Sequence, residues 1–233
     1  DAGRKAADAA RAAVKQANDL ASKYPHLAVL REGAGKASTG LEEYIGLVNR
    51  TEDAVKGVNT ARTKGNETAA LFIGNASAYL ESQNEAMEKE IKEGADQAKL
   101  EERLEKITLI NNVIDAGNGV RIDNFAGQAT RDLARLEGGI KSFDGITETV
   151  KKIRAVTNQQ VNLDQLDAIQ KAANDYKAAM ESIAANWNAL DALNMDRVRV
   201  GNAIQAVAGE VSQAASKQSL AIADRAVSSL GST

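Results

Sequence analysis

The chain has 233 residues, a formal net charge of −3 and 26% charged side chains; it holds no cysteine, one histidine (His26), one proline (Pro25) and only 3% aromatics. This excludes disulfides, thiolate metal sites and cysteine nucleophiles, makes a histidine-built zinc site or triad untenable, and leaves no basic field for nucleic acid. Apolar content dominated by alanine and poor in proline favours long, closely packed helices over sheet.

The chain opens inside a helical pattern, at Asp1-Ala2-Gly3-Arg4, and reads as a piece of something longer. Residues 1–24 form a first helix of small residues, stopped at Tyr24-Pro25-His26. Residues 28–92 contain no proline and read as one very long helix. Lys92-Glu93-Gly94-Ala95-Asp96 turns the chain, and 98–126 form a third helix. A kink or short joint at Ala126-Gly127-Gln128 leads into a fourth, 128–155. A loop at 157–162, with Asn162 as N-cap, precedes a second very long helix, 163–229. No apolar run approaches the roughly 20 residues that span a bilayer, and no signal peptide is visible.

Both long helices keep a seven-residue apolar seam. One runs through Leu41, Tyr44, Val48, Val55, Val58, Phe72 and Tyr79, the other through Leu166, Ile169, Tyr176, Met180, Ile183, Trp187, Leu190 and Ile204. Seams this long predict an elongated, all-α bundle of coiled-coil type, each long helix about 95–100 Å at 1.5 Å per residue. Arg62 with Arg197, and Gly65-Asn66 with Gly201-Asn202, recur at nearly one offset, which reads as a degenerate duplication. The first copy has one short helix where the second has two, so a helix is expected before residue 1.

Polar residues interrupt the seams where Leu or Ile belongs: Arg62, Arg197 with Asn194 one turn away, and Arg121 on the third helix. If the fourth and fifth helices are antiparallel about a loop near 159, Arg197 lies opposite Arg121 across the 126–128 joint. Arg62 falls at the same level. Such arginines need carboxylates, from the protein (Asp123 and Asp196 are near in sequence) or from a ligand gripped by the guanidinium forks. Other signals are bland. Glu32-Gly33-Ala34-Gly35-Lys36-Ala37-Ser38 fails as a phosphate loop, since Leu30 replaces its first glycine and Ala37 follows the lysine. The charged run from Glu81 to Lys106 reads as a solvated helix end. Trp187 and Phe143 read as core, and His26 as a loop residue. Three Asn-x-Ser/Thr triplets, at Asn49, Asn66 and Asn75, fall inside helices.

Val120-Arg121-Ile122-Asp123-Asn124-Phe125 before a glycine joint, and Asn186-Trp187 through Leu193-Asn194-Met195-Asp196-Arg197 before Gly201, resemble motifs of the helical bimodular sensor domain of bacterial chemoreceptors. The resemblance covers nearly the whole chain, except for the first short helix and the sister arginine motif it would carry. It implies two stacked four-helix modules sharing the long helices: a membrane-distal one at 1–62 plus 128–197, and a membrane-proximal one at 63–126 plus 198–233. It also implies a periplasmic, homodimeric domain between transmembrane helices that lie outside this chain. Its ligand would be a small organic acid, a di- or tricarboxylate or acetate, and no cofactor is implied. By resemblance the ligand-binding residues are Arg121 and Arg197, then Arg62, Asn194 and Arg199. A ligand would bias a small shift of the last helix, with the layer at Gly65 and Gly201 as the loose point. The competing readings are the sensor of a histidine kinase and a structural or adaptor helical rod. Nothing gathers the acid, base and nucleophile that an enzyme needs.

Overall fold

The computed structural model describes residues 2–230, with side chains from Lys5 onward. Among the described residues there is no strand, and the chain is all-α: α1 (Ala2–Lys23), α2 (Ala28–Lys92), α3 (Gln97–Thr130), α4 (Leu133–Ala155) and α5 (Gln160–Leu230). α2 and α5 are unbroken over 65 and 71 residues, in keeping with the two long seams.

Local chemistry sets each boundary. Pro25 cannot continue α1, and the chain closes there through Leu27 N–H on the Tyr24 carbonyl (3.0 Å). After α2 the backbone goes left-handed at Gly94 (φ +72), and Asp96 caps α3 by accepting from Lys99 N–H (2.9 Å). α5 begins at Gln160, so Asn162 is not its cap; it lies buried in the first turn.

The connection between α3 and α4 departs from the sequence reading. α3 runs straight through 126–128 and stops only at Arg131, which adopts φ 54 and ψ 39 and donates its N–H to the Gly127 carbonyl. Asp132 then caps α4 by accepting from Arg135 N–H (3.1 Å). The chain reverses within two residues. Gly127 makes room for this: a Cβ there would sit 3.1 Å from the Asp132 carbonyl oxygen and 3.2 Å from the Leu136 nitrogen. α4 therefore folds back beside α3 instead of continuing it, and Arg135 reaches Asp123 (3.1 Å).

The chain divides into two compact units, Asp1–Ala54 with Ala189–Thr233, and Val55–Asn188. This replaces the expected modules, 1–62 with 128–197 and 63–126 with 198–233. That division separates α3 from α4, which the turn at Arg131 holds together.

The second unit is a complete antiparallel four-helix bundle built from one continuous stretch. Phe72 of α2 lies over Gly117 of α3, Met180 of α5 lies against Gly139 of α4, and Asn186 lies against Gly57. Phe143 of α4 meets Tyr176 of α5 edge to face, with ring centres 5.4 Å apart. Phe72, Ile110, Ile146, Ile153, Leu166, Ile169, Met180 and Ile183 are fully buried. Each such side chain contributes about 1.5–3 kcal/mol relative to exposure. Trp187 and Phe143 belong to this core, as expected.

The first unit has three helical segments: α1, α2 to residue 54, and α5 from 189. Its core is thinner. Leu47, Ala54, Leu193 and Val200 are buried together, with Tyr44, Leu190 and Ile204 packed against them. α1 adds only Ala21 to the buried apolar residues described. Gly33 and Gly40 let α5 approach closely, since Cβ atoms there would meet Val211 at 2.2 Å and Ile204 at 2.9 Å. Gly65 and Gly201 have only ordinary contacts, the nearest at 3.6 and 3.9 Å. The close approaches along the long helices thus lie at other glycines than Gly65 and Gly201, where the sequence reading put a loose layer.

Gly117 and Gly119 are two residues apart but differ in kind: a Cβ on Gly117 meets Phe72 at 2.3 Å, whereas one on Gly119 meets nothing within 4 Å. Gly117→Ala is expected to lose about 1–3 kcal/mol through overpacking. Gly119→Ala is expected to gain about 0.5–1 kcal/mol through helix propensity. Urea midpoints of the two variants check both signs.

Candidate functional site

Arg121 and Arg62 belong to the second unit and Arg197 and Arg199 to the first. The joint at 126–128 from which the sequence reading set Arg121 opposite Arg197 is absent: α3 runs through it, and α4 starts after the turn at Arg131.

In the first unit, Arg197 follows Leu193 by four residues and precedes Val200 by three, so it occupies the same face of α5 as those buried residues. Its Nη2 donates to Asn194 Oδ1 (3.1 Å). Its Nε is buried and has no hydrogen-bond partner. A guanidinium donor taken from water without an acceptor costs about 1–3 kcal/mol. Asp196 does not supply that acceptor, because it pairs with Arg199 (3.5 Å), which also reaches Glu43 of α2 (3.0 Å). Arg199 is an exposed, internally paired residue. Glu43 holds the Arg199 guanidinium in its charged form, raising its pKa further.

In the second unit the sequence missed a hydrogen-bond chain that crosses the bundle. Arg62 Nε of α2 donates to Gln128 Oε1 (2.7 Å), Gln128 Nε2 donates to Asn124 Oδ1 (2.7 Å), and Asn124 Nδ2 donates to the Tyr176 hydroxyl of α5 (3.1 Å). Asn124 and Tyr176 are buried, and burial pushes the Tyr176 phenol above its usual range. Arg121, one turn before Asn124, makes no hydrogen bond or ion pair among the described residues; its charge is felt at Tyr176. Asp123, the expected partner of Arg121, is taken by Arg135. Phe125 is exposed. Asn124 and Gln128 carried a legible signal, since they stand four apart on the face that Arg121 begins.

The charged run from Glu81 to Lys106 is not simply a solvated end. Gln83, Glu90, Arg103 and Lys106 are buried. Arg103 grips Glu90 with two bonds, Nε to Oε2 at 3.0 Å and Nη2 to Oε1 at 2.7 Å, and its Nη1 donates to Gln83. Lys99 lies 3.7 Å from Glu90, and Lys106 pairs with Glu102 (2.6 Å). Tyr79 is fully buried nearby, and burial raises its pKa. Its hydroxyl makes no well-formed hydrogen bond: Thr157 is close, but the Thr157 hydroxyl donates to the Ile153 carbonyl (2.7 Å). The seven-residue spacing of Gln83 and Glu90 on the Tyr79 side of α2 was the sequence signal for burial.

Surface grooves are shallow in chemistry. A groove of about 480 Å³ between α2 and α5 in the second unit is lined by small residues, with Lys64 and Asp175 on its rim. Among the described residues no group of three acidic or histidine side chains is placed to hold a metal, and no helix is long and apolar enough to cross a membrane. His26 is exposed in the α1–α2 connection, edge-on to Tyr24. Comparison with protein families, with curated proteins and with solved structures finds no match to this chain.

Two outcomes follow. Replacing Arg197 by Met keeps a long apolar stem and removes the buried, unsatisfied donor, so the variant is expected to be more stable by about 1 kcal/mol; a lower urea midpoint would show that Arg197 is satisfied as it stands. Arg103, with help from Lys99, holds the Glu90 carboxyl below the usual carboxylate range. A folded-state pKa below the unfolded value stabilises above about pH 4.3 and stops stabilising as pH falls through the lowered value. The urea midpoint should therefore drop as pH falls below about 4.3, with a smaller drop in Glu90→Gln, where that contribution is absent throughout.

Proposed function

We propose that this chain is the extracytoplasmic sensor domain of a transmembrane receptor, and that its first unit binds a small organic acid through Arg197. The observation that carries this reading is the buried Nε of Arg197, held in an apolar seam with no acceptor. Other cations of the first unit are paired with carboxylates: Arg11 with Glu42, Lys36 with Glu32, and Arg199 with Glu43. A ligand carboxylate would give Arg197 the charge-assisted bonds it lacks, and Asn194 one turn away adds an amide. α5 carries Arg197, so binding would bias its position against α2 within the unit; a ligand can do so only by the difference in its affinity for the two packings. A chemotaxis receptor and a histidine kinase would use such a domain alike.

The alternative, a structural or adaptor helical protein, is favoured by the internal pairing of Arg62 and Arg199. A thermal-shift screen with acetate, succinate, malate and citrate separates the two. The sensor reading expects a saturable rise of several degrees with one of them. The rise should vanish in Arg197→Ala and persist in Arg121→Ala. No rise with any acid would favour the structural reading.

A further inference from the structure

The buried polar layer at the α2–α3 end of the second unit has a cost and no evident stabilising need. An ion pair taken out of water recovers at best much of its desolvation penalty, and well-packed apolar side chains of similar size often do as well or better. Yet four polar residues stand where the pattern of both helices calls for apolar ones. On α2 the buried positions recur every seven residues, through Gly65, Phe72 and Tyr79 and through Ala69, Ala76, Gln83 and Glu90. On α3 they recur through Arg103, Ile110 and Gly117 and through Lys106, Val113 and Val120. Two seams with one period can match in more than one register, displaced by a heptad, or about 10 Å at 1.5 Å per residue. Apart from Phe72, Tyr79 and the polar layer, these positions hold only Gly, Ala, Val or Ile, a pattern that repeats from one heptad to the next. In the turns that flank the 93–96 connection only Glu90 is buried, so lengthening that connection would uncover little else.

We propose that the Gln83–Glu90–Arg103 layer is a specificity device that fixes one pairing of α2 with α3, at some expense of stability. In the observed register Arg103 meets both Glu90 oxygens and Gln83 at once. In a register displaced by a heptad, Glu90 and Arg103 would each lose that partner and lie buried among apolar residues. The wrong pairing is thereby penalised far more than the right one is favoured. The Phe72–Gly117 contact is a second, purely steric fit in the same seam, and the test must separate the two.

The chain has no cysteine, so spin labels can be placed at will on Ser77→Cys and Asn111→Cys, exposed sites on α2 and α3. Distances between them are measured in the otherwise native chain and in Gln83→Leu/Glu90→Leu/Arg103→Leu. The native layer should give one narrow distribution. The triple variant should keep or raise its melting temperature and add a second, longer-distance population, as labels that now face each other slip about 10 Å apart along the helix axis. Arg103→Leu alone, which strands Glu90, should melt well below both. The swapped pair Glu90→Arg/Arg103→Glu should restore a single population. A triple variant with one unchanged narrow distribution would overturn the proposal and give the role to Phe72 and Gly117. A triple variant that melts as low as Arg103→Leu, or does not fold, would overturn it too, by showing that the layer supplies stability.

Discussion

At Arg131 the backbone turns left-handed, and the packing of α4 against α3 and α5 depends on that one reversal. A non-glycine residue at φ 54 carries a small conformational cost. The cost is offset locally by the N–H bonds of Arg131 and Asp132 to the Gly127 carbonyl, and by the Asp132 cap on α4. Once α4 is folded back, Phe143 can reach Tyr176, Gly139 can receive Met180, and the four apolar faces close on each other. The placement of α4 is thus fixed by two residues of turn geometry.

The small-residue composition decides what the interiors can do. Seams of alanine and glycine bring backbones close but bury little apolar area per residue, so polar groups gain weight in selecting one structure. The second unit meets this with satisfied networks: Arg62 through Gln128 and Asn124 to Tyr176, and Arg103 with Glu90 and Gln83. The first unit has a thinner core, and its one arginine on a buried face is left with an unsatisfied atom. A buried polar group without a partner asks for an explanation. Tyr79 in the second unit and Arg197 in the first each keep one such atom, and of the two only Arg197 carries the charge that the proposed ligand carboxylate would meet.

The sequence made most of the secondary structure legible. Pro25, Gly94 with Asp96, and the seven-residue seams placed the helices and their ends within a few residues, because breakers, caps and periodicity are local. The 126–128 joint misled, because Gly127 marks close helix packing there and not a break in the helix. The true stop at Arg131 has no glycine to announce it, although Asp132, three residues before Arg135, is a cap signature. That single error carried into the domain boundaries and the arginine register. The burial of Glu90 and Arg103 was hidden because charge argues for solvent, whereas their seven-residue positions argue for the interior. Arg197 was legible as a polar break in an apolar seam; that its Nε lacks an acceptor is a matter of tertiary geometry.

The most direct test of the account watches the Arg197 Nε–H itself. In the chain with ¹⁵N-labelled arginine, a buried, unpartnered Nε–H should give a resolved signal that Arg197→Lys removes. Adding acetate, succinate, malate or citrate in turn should move that signal downfield and saturably for at least one acid, as a carboxylate becomes its acceptor. An Nε–H that no acid displaces, at concentrations where exposed arginines already respond, would contradict the anion site and leave Arg197 as an unexplained interruption of the seam.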